Sequence, residues 1–471
     1  MNNLRMSDQP FRERVKAAFA NPDRLVAINR FAQSTVEKRN AALESLPDAD
    51  ATRKLGRAIR AHTIAHLDQY LEQFEAKAQA NGAHVHWARD AAEAQQIVLD
   101  IVRRHGARRV AKSKSMVTEE IGLNVALEGA GIEVFETDLG EFIAQQGGDH
   151  PSHIIVPVMH LTRQEVGQIF AEKLGVPYTD AIPELNAIAR ATLREVYLTA
   201  DIGITGCNFA VAETGSVCLV TNEGNGRMVA TLPGVHIALM GMERIVPTLD
   251  DLALMLHRLS RSATGQKLSV YTSIISGPRR PGEPHGPAES HIIILDNGRS
   301  RALAGDLAEI LYCIRCGACL NVCPVYRAIG GHAYGSVYPG PVGSVVSPIL
   351  GGVPTHAELP HASTLCGACK DICPVHIDLP TLLLRLRRET VRQGRSPGWL
   401  WLGMKGYGAA ATGAGRFQLA AWLAGLVTRL AGQGWLKGSL PGPLRAWTRY
   451  RHFPAFALKT FQQQWKERRR G

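Results

Sequence analysis

Two cysteine runs fifty residues apart constrain this chain more than any other feature. "CIRCGACLNVCPV" begins at Cys313 and "STLCGACKDICPV" at Ser363, and the two align without a gap; seven of the ten positions from Cys316 to Val325 recur from Cys366 to Val375. In that register Ser363 stands where the first run has Cys313. The spacing Cys-x2-Cys-x2-Cys-x3-Cys-Pro lets a tight turn aim three thiolates at one iron-sulfur cluster while the fourth reaches a neighbouring one. By this exchange Cys313, Cys316, Cys319 and Cys373 form one set. Cys323, Cys366 and Cys369 form a second set that lacks a fourth thiolate. Structural zinc also uses Cys-x2-Cys pairs, but it closes at four ligands and does not need a proline-terminated cysteine run twice. We therefore expect two iron-sulfur clusters, both 4Fe-4S unless the incomplete set holds a 3Fe-4S. Three solutions compete for the open position: the Ser363 oxygen or a water, a three-iron cluster that needs only three thiolates, or a distant cysteine. The remaining cysteines, Cys207 and Cys218, fall in the strand-like "GCNFAVA" and "SVCLVTN", where cysteine serves as a small buried hydrophobe.

Seven of the nine cysteines lie in these runs, a distribution that suits metal binding in a reducing compartment rather than a disulfide framework. The N-terminus, "MNNLRMSDQPFRERVKAAF", shows no apolar signal segment, so a cytoplasmic location is expected. From Ser396 to Gly471 there are twelve Lys/Arg and one acid, Glu467, so this tail carries the whole net charge of +11, along with six of the seven tryptophans. Its longest apolar run, "FQLAAWLAGLV", lies between Arg416 and Arg429. That is too short to span a bilayer and fits a helix lying on a surface, either a peripheral site at the inner membrane with a quinone-linked sink or an acidic partner subunit. The charges alternate with Trp and Leu rather than with polar readout residues, so no nucleic acid is expected.

The expected organisation is a helical N-terminal segment (1–79), an α/β domain (80–300), an α-helical two-cluster ferredoxin-like domain (301–395) and the basic C-terminal region (396–471). Strand-helix alternation from "HVHWA" through "IEVFETD", and the later strands "HIALMG" and "HIIILDNG", argue for a parallel sheet covered by helices. A helix over "RALAGDLAEILY" is expected to deliver the first cysteine run. Asp378, Pro380 and Gly394 frame a helix after the second. The Gly/Pro-rich stretch "GGHAYGSVYPGPVGSVVSPILGG" between the runs is expected to be a loop. In the α/β domain, "AKSKSM" (Ala111–Met116) ends a strand before a helix and offers lysines to an anion. Glu213-Thr214-Gly215 suits a hairpin turn, and Asn222 to Arg227 a glycine-rich loop. No G-x-G-x-x-G or Walker motif is visible, so no nucleotide or flavin site is expected.

The order of the "KSKSM" unit, "DIGITGCNFAVAETGS", the ferredoxin run and "LCGACKDICPV" resembles the iron-sulfur members of the lactate-utilisation domain family over nearly the whole chain. The cysteine motifs alone are generic to helical ferredoxin domains, and their fusion behind this α/β domain is what discriminates. The resemblance implies a bacterial cytoplasmic complex oxidising L-lactate to pyruvate. This chain would be its electron-transfer subunit, an oxidoreductase component beside a cysteine-rich iron-sulfur subunit and a smaller subunit sharing the α/β domain. It also implies two four-iron clusters on the two cysteine sets named above, with serine at position 363 as part of the pattern. The competing class is an isomerase or acyl-transfer enzyme of the α/β domain with structural or sensing clusters, in which Glu213 would act as nucleophile or base. The sequence assigns no catalytic residue for lactate.

Overall fold

The computed structural model describes residues 4, 6–430, 435–436 and 452–469. Residues Met1–Gln393 gather into one compact unit and Gly394–Gly471 into another.

The first unit is organised by ten strands: β1 (His84–Ala88), β2 (Arg109–Lys112), β3 (Glu133–Glu136), β4 (Ile202–Thr205), β5 (Phe209–Val211), β6 (Ser216–Thr221), β7 (Val235–Gly241), β8 (Ile245–Val246), β9 (Tyr271–Ile275) and β10 (Glu289–Leu295). Six of them make a wholly parallel sheet in the order β1-β10-β7-β4-β2-β3. Every residue of β7 is buried, as a strand must be when helices cover both faces of a parallel sheet. The expected α/β fold is present, and a second sheet that the sequence does not announce stands beside it, in the order β8-β5-β6-β9 with β5–β6 and β6–β9 antiparallel. The β5–β6 hairpin turns at Glu213-Thr214-Gly215 as expected, with Gly215 at φ +67°. A Cβ there would come within 2.3 Å of the Ala78 backbone nitrogen.

Residues 10–80 are helical as expected, in Phe11–Phe19, Pro22–Glu44, Ala49–Ala65 and Leu67–Ala80. The Asp378-capped helix forms over Leu379–Arg392, with the Thr381 N–H donating to the Asp378 carboxylate at 3.2 Å. Two expectations for the cysteine domain are corrected. "RALAGDLAEILY" is not one helix: Arg299–Leu303 stops before Gly305-Asp306, and a 3-10 turn over Ala308–Tyr312 delivers Cys313. The Gly/Pro stretch is not a loop, because Gly340–Gly351 is a helix buried along almost its whole length. Its small residues allow backbone contact instead of breaking the helix; a Cβ on Gly343 would lie 1.7 Å from the Tyr338 carbonyl oxygen.

The second unit contains helices Gly398–Ala411 and Ala414–Leu430, a short Trp435–Leu436/Phe453–Pro454 strand pair and a helix over Phe461–Arg468. The expected surface helix "FQLAAWLAGLV" lies within Ala414–Leu430. The charges between Lys437 and Arg451, and Trp447, fall outside the described residues. Among the described residues no helix is long and apolar enough to cross a membrane.

Candidate metal centre

The two cysteine runs fold as a structural repeat. Arg315 and Leu365 take the left-handed conformation at φ +58° and +56°, and Gly317 and Gly367 follow at +72° and +88°. Each glycine then opens a short helix, Ala318–Asn321 or Ala368–Ile372. Left-handed turns at non-glycine residues are uncommon and costly, so finding the same pair twice marks a backbone shaped for a purpose. The equivalence extends to the mismatch. The Arg315 N–H donates to Cys313 Sγ at 3.4 Å, and the Leu365 N–H donates to Ser363 Oγ at 3.1 Å. Ser363 therefore presents its hydroxyl on the same turn, to the same N–H, as Cys313 presents its thiol.

The seven thiols separate into two neighbourhoods. Burial pushes Cys316 up to about 12, and Cys373 and Cys313 are the thiolate charges it feels. Burial pushes Cys373 up to about 11, with Cys313 its thiolate neighbour. Cys369, raised to about 12 by burial, instead feels Cys323 and Cys366. Cys373 is thus among the charges felt by the first run, and Cys323 among those felt by Cys369 of the second. Cys319, raised well above the usual thiol range by burial, feels Cys316, Cys313, Cys369 and Cys373, so it stands where the two sets meet. All nine cysteines are free. Thiolates desolvated to this degree need bound metal to stay ionised.

The spacing of these sulfurs tests which metal fits. A tetrahedral zinc with Zn–S of about 2.3 Å draws its sulfurs to roughly 3.8 Å apart. Among the described residues no three of the cysteine sulfurs lie within 4.8 Å of one another; the groups that do are His105–Glu289–His291 and Asp149–His160–His332. A cluster accepts wider spacing, since each thiolate ends on a different iron. Together with an all-thiolate donor set, this fits iron-sulfur and not a single zinc ion.

The N-terminal helices supply what the cysteine motifs lack. Arg53 Nε donates to the Cys373 carbonyl at 2.7 Å and its Nη2 to the Lys370 carbonyl at 2.8 Å, while Arg39 Nη2 donates to the Ile372 carbonyl at 2.9 Å. Arg57 Nη1 donates to the His376 carbonyl at 2.5 Å. Arg60, 1 % exposed, reaches the carbonyls of Ile245 (2.6 Å), Glu243 and Leu311 (2.9 Å). Charge interactions link Arg39 to Cys316 and Cys373, Arg258 to Cys316, and Arg60, Arg244 and Arg315 to Cys313. A buried thiolate set thus sits among guanidiniums, which do not lose their protons in proteins. Cys366 differs: it is exposed and its thiol is lowered, chiefly by the Ala368 N–H.

The other candidates fall away from the centre. Cys207, between β4 and β5, and Cys218, on β6, are buried near each other, both raised to about 12 by burial, and neither figures among the leading charges felt by the incomplete set. Glu213 is exposed and its carboxylate accepts the Leu249 N–H at 3.0 Å, capping a helix instead of projecting into a cleft. Lys112 is fully buried and consumed by Glu136 at 2.7 Å and Glu119 at 3.1 Å, so it is closed to an anion. The 222–227 loop is shorter than expected, because Gly224 at φ +78° turns the chain into a helix at Asn225. Ser152, His160 and Asp149 form a hydrogen-bonded chain of 2.7 and 3.0 Å. Ser152 is only 1 % exposed and also bonds the Pro157 carbonyl, so the chain braces a loop and presents no nucleophile.

Comparison with known proteins finds three matched regions along the chain. The LUD domain model matches residues 71–295, the 4Fe-4S dicluster domain model residues 309–377, and the model of the lactate utilisation protein B C-terminal region residues 387–470. The lactate utilization protein B of Bacillus pumilus is 44 % identical over 472 residues, covering 99 % of both chains. That of Macrococcus caseolyticus is 47 % identical and covers 96 % of both. That of Bacillus subtilis is 44 % identical and covers 99 % of this chain and 98 % of its own. With three consecutive family regions matched and identity sustained from end to end, the chain belongs to the lactate utilization protein B family.

Proposed function

We propose that this chain is the iron-sulfur electron-transfer subunit of a complex that oxidises L-lactate to pyruvate, working with a cysteine-rich iron-sulfur subunit and a smaller subunit that shares the α/β domain. The observation that carries this is the crossed neighbourhood of the thiols, Cys373 with the first run and Cys323 with the second, meeting at Cys319 and Cys369. Cys313, Cys316, Cys319 and Cys373 would hold one 4Fe-4S cluster. Cys323, Cys366 and Cys369 would hold the other, with Ser363 at its fourth position. Bound there, the clusters supply one-electron acceptance and transfer. The chain's own contribution is to keep the first set buried or half-buried with arginines as charge neighbours, while leaving Cys366 of the second set exposed to a partner. The basic, tryptophan-bearing tail, whose Trp399, Trp401 and Leu402 are exposed on one helix, would supply the contact to an acidic partner or to the membrane surface.

Iron and sulfide analysis and electron paramagnetic resonance of the anaerobically purified chain test this reading, with and without lactate and the partner subunits. Two cluster signals that appear on adding lactate and partners are expected. Cys316→Ala and Cys373→Ala should damage one signal, and Cys323→Ala and Cys366→Ala the other. If Cys373→Ala and Cys323→Ala remove the same signal, the crossed sets are wrong. Clusters that stay redox-silent through turnover would exclude electron transfer.

A further inference from the structure

Four loops leave the carboxyl ends of the adjacent strands β7, β4, β2 and β3, where open α/β sheets place their ligands. They enclose a cavity of about 470 Å³ lined among others by Lys114, Asp138, Asn208, Glu223, Arg244 and Arg315. Two of the lining arginines have donors with nowhere to go. Arg244 is 7 % exposed, and among the described residues its guanidinium makes no hydrogen bond and no ion pair; its Nε is buried without a partner. Arg315 is 9 % exposed, its Nε and Nη1 are likewise unpartnered, and only its Nη2 approaches Glu243, at 3.5 Å. The nearby carboxylate of Glu243 is already taken by Arg299 at 2.5 Å. Buried guanidinium donors left unpaired are costly, and a fork of N–H groups is matched by a carboxylate.

We propose that this cavity binds a small 2-hydroxy- or 2-oxocarboxylate, with Arg244 and the free edge of Arg315 holding its carboxylate. Other lining groups select this class. Asn208 fixes its Oδ1 on the Val220 N–H at 2.9 Å, and its Nδ2 bonds nothing among the described residues, which leaves a donor for the oxygen on the second carbon. Lys114 adds positive charge while its Nζ is anchored to the Ile155 carbonyl at 2.5 Å. Met116, Ile154, Val156 and Leu219 give an apolar wall for a short alkyl group. Asp138 and Glu223 also line the cavity and disfavour a doubly charged phosphate. Through Arg315, whose N–H donates to Cys313 Sγ at 3.4 Å, the acid lies next to the first thiolate set. In that respect the site rests on the electron-transfer reading above.

The test is calorimetric titration of the anaerobic, cluster-loaded full chain with L-lactate, pyruvate, propionate and inorganic phosphate. Lactate and pyruvate should bind at one site, and more tightly than propionate, which lacks the second oxygen, or phosphate. Arg244→Gln should weaken lactate at least about tenfold, the scale of a charge-assisted contact, with iron content unchanged. Leu219→Trp, which fills the cavity from its apolar wall and leaves both arginines in the sequence, should abolish binding and decides the matter if Arg244→Gln loses iron. Failure of the wild type to bind any of these acids, phosphate binding as tightly as lactate, or unchanged affinity in both variants would overturn the proposal. If the acids bind as described but lactate and partners never reduce the clusters, the electron-transfer reading fails and the site stands. If Arg244→Gln reduces its clusters in the complex with unchanged KM, the site fails and that reading stands.

Discussion

Arg299→Met probes the network that joins the parallel sheet to the cysteine domain. Arg299 is 1 % exposed and donates to both oxygens of Glu120 at 2.9 Å each and to Glu243 at 2.5 Å. Removing one partner of a buried pair costs about 3–5 kcal/mol. The lower end applies here, because Glu120 keeps the Asn297 amide at 2.7 Å and the Tyr338 hydroxyl at 2.8 Å, and Glu243 keeps Arg315 at 3.5 Å. A loss of about 3 kcal/mol is roughly a hundredfold in the unfolding equilibrium at about 1.4 kcal/mol per factor of ten. The assay is urea unfolding of the cluster-loaded protein under anaerobic conditions, followed by circular dichroism. Its pH dependence gives an independent check. Burial would push Glu243 up, but the guanidiniums of Arg299, Arg244 and Arg315 reverse this and hold it down at about 2. In the wild type that carboxylate contributes fully above the ordinary glutamate value of about 4.3 and fades only as pH falls through about 2. Without Arg299 it takes up a proton more readily, so the deficit of Arg299→Met should shrink as pH falls. A deficit below about 1 kcal/mol, the worth of an exposed pair, would show that the network does not bind the two parts together.

Three further outcomes are expected. Ser363→Cys should complete the second thiolate set and slow the loss of its cluster in air, measured as bleaching of the visible absorbance; bleaching as fast as in the wild type would mean Ser363 does not stand at the fourth position. Arg39→Gln, which removes one guanidinium facing Cys316 and Cys373, should lower the reduction potential of the first set by tens of millivolts, ~59 mV being a tenfold change for one electron, and leave the second unmoved in a redox titration. His236 is buried against the Thr205 hydroxyl at 2.9 Å and held down to about 4 by burial; the unfolded chain takes up its proton below about 6.5, so stability is lost as pH falls from there towards 4, by about 1.4 kcal/mol at pH 5.5, and His236→Gln should flatten that slope in urea titrations.

Where local spacing dictates geometry, the sequence was legible. The cysteine runs, the Asp378 cap, the β5–β6 turn and the parallel strands all rest on short-range rules and appear where those rules put them. Two of the failures share one cause, tertiary contact overriding composition. "GPVGSVVSPILG" looks like a loop by its glycines and prolines, yet in a buried position the same small residues let backbones touch and a helix form. The four-stranded sheet was invisible because β8 has two residues and β5 three, too short for any periodicity. The N-terminal helices carry no recognisable chemical motif in the sequence, although Arg53, Arg57 and Arg60 recur at i, i+4 and i+7 on one helix face. A stripe of arginines with this spacing is ordinarily solvated; only the fold turns it inward onto the carbonyls of the second cysteine run and of Leu311.

Buried arginines, Arg60 of that stripe among them, account for the unequal treatment of two nearly identical loops. A thiolate-held centre gains a negative charge with each electron, and in a dry interior the cost of that charge depends on permanent cations nearby. The first set has Arg39, Arg60, Arg244, Arg258 and Arg315 as charge neighbours. The acid facing Cys366 is Asp371, and no arginine is among the leading influences on Cys323, Cys366 or Cys369. On the proposed assignment a cluster on the first set would be the easier to reduce, and one on the second, where Cys366 is exposed, would be the one a partner could approach. Electrons entering from a partner at the second site would fall inward to the first. Electrons arising beside Arg315 would rest there until a partner at Cys366 offers a lower-energy acceptor. In either direction the repeat yields two different sites, because helices with no metal-binding motif of their own place charge against only one of them.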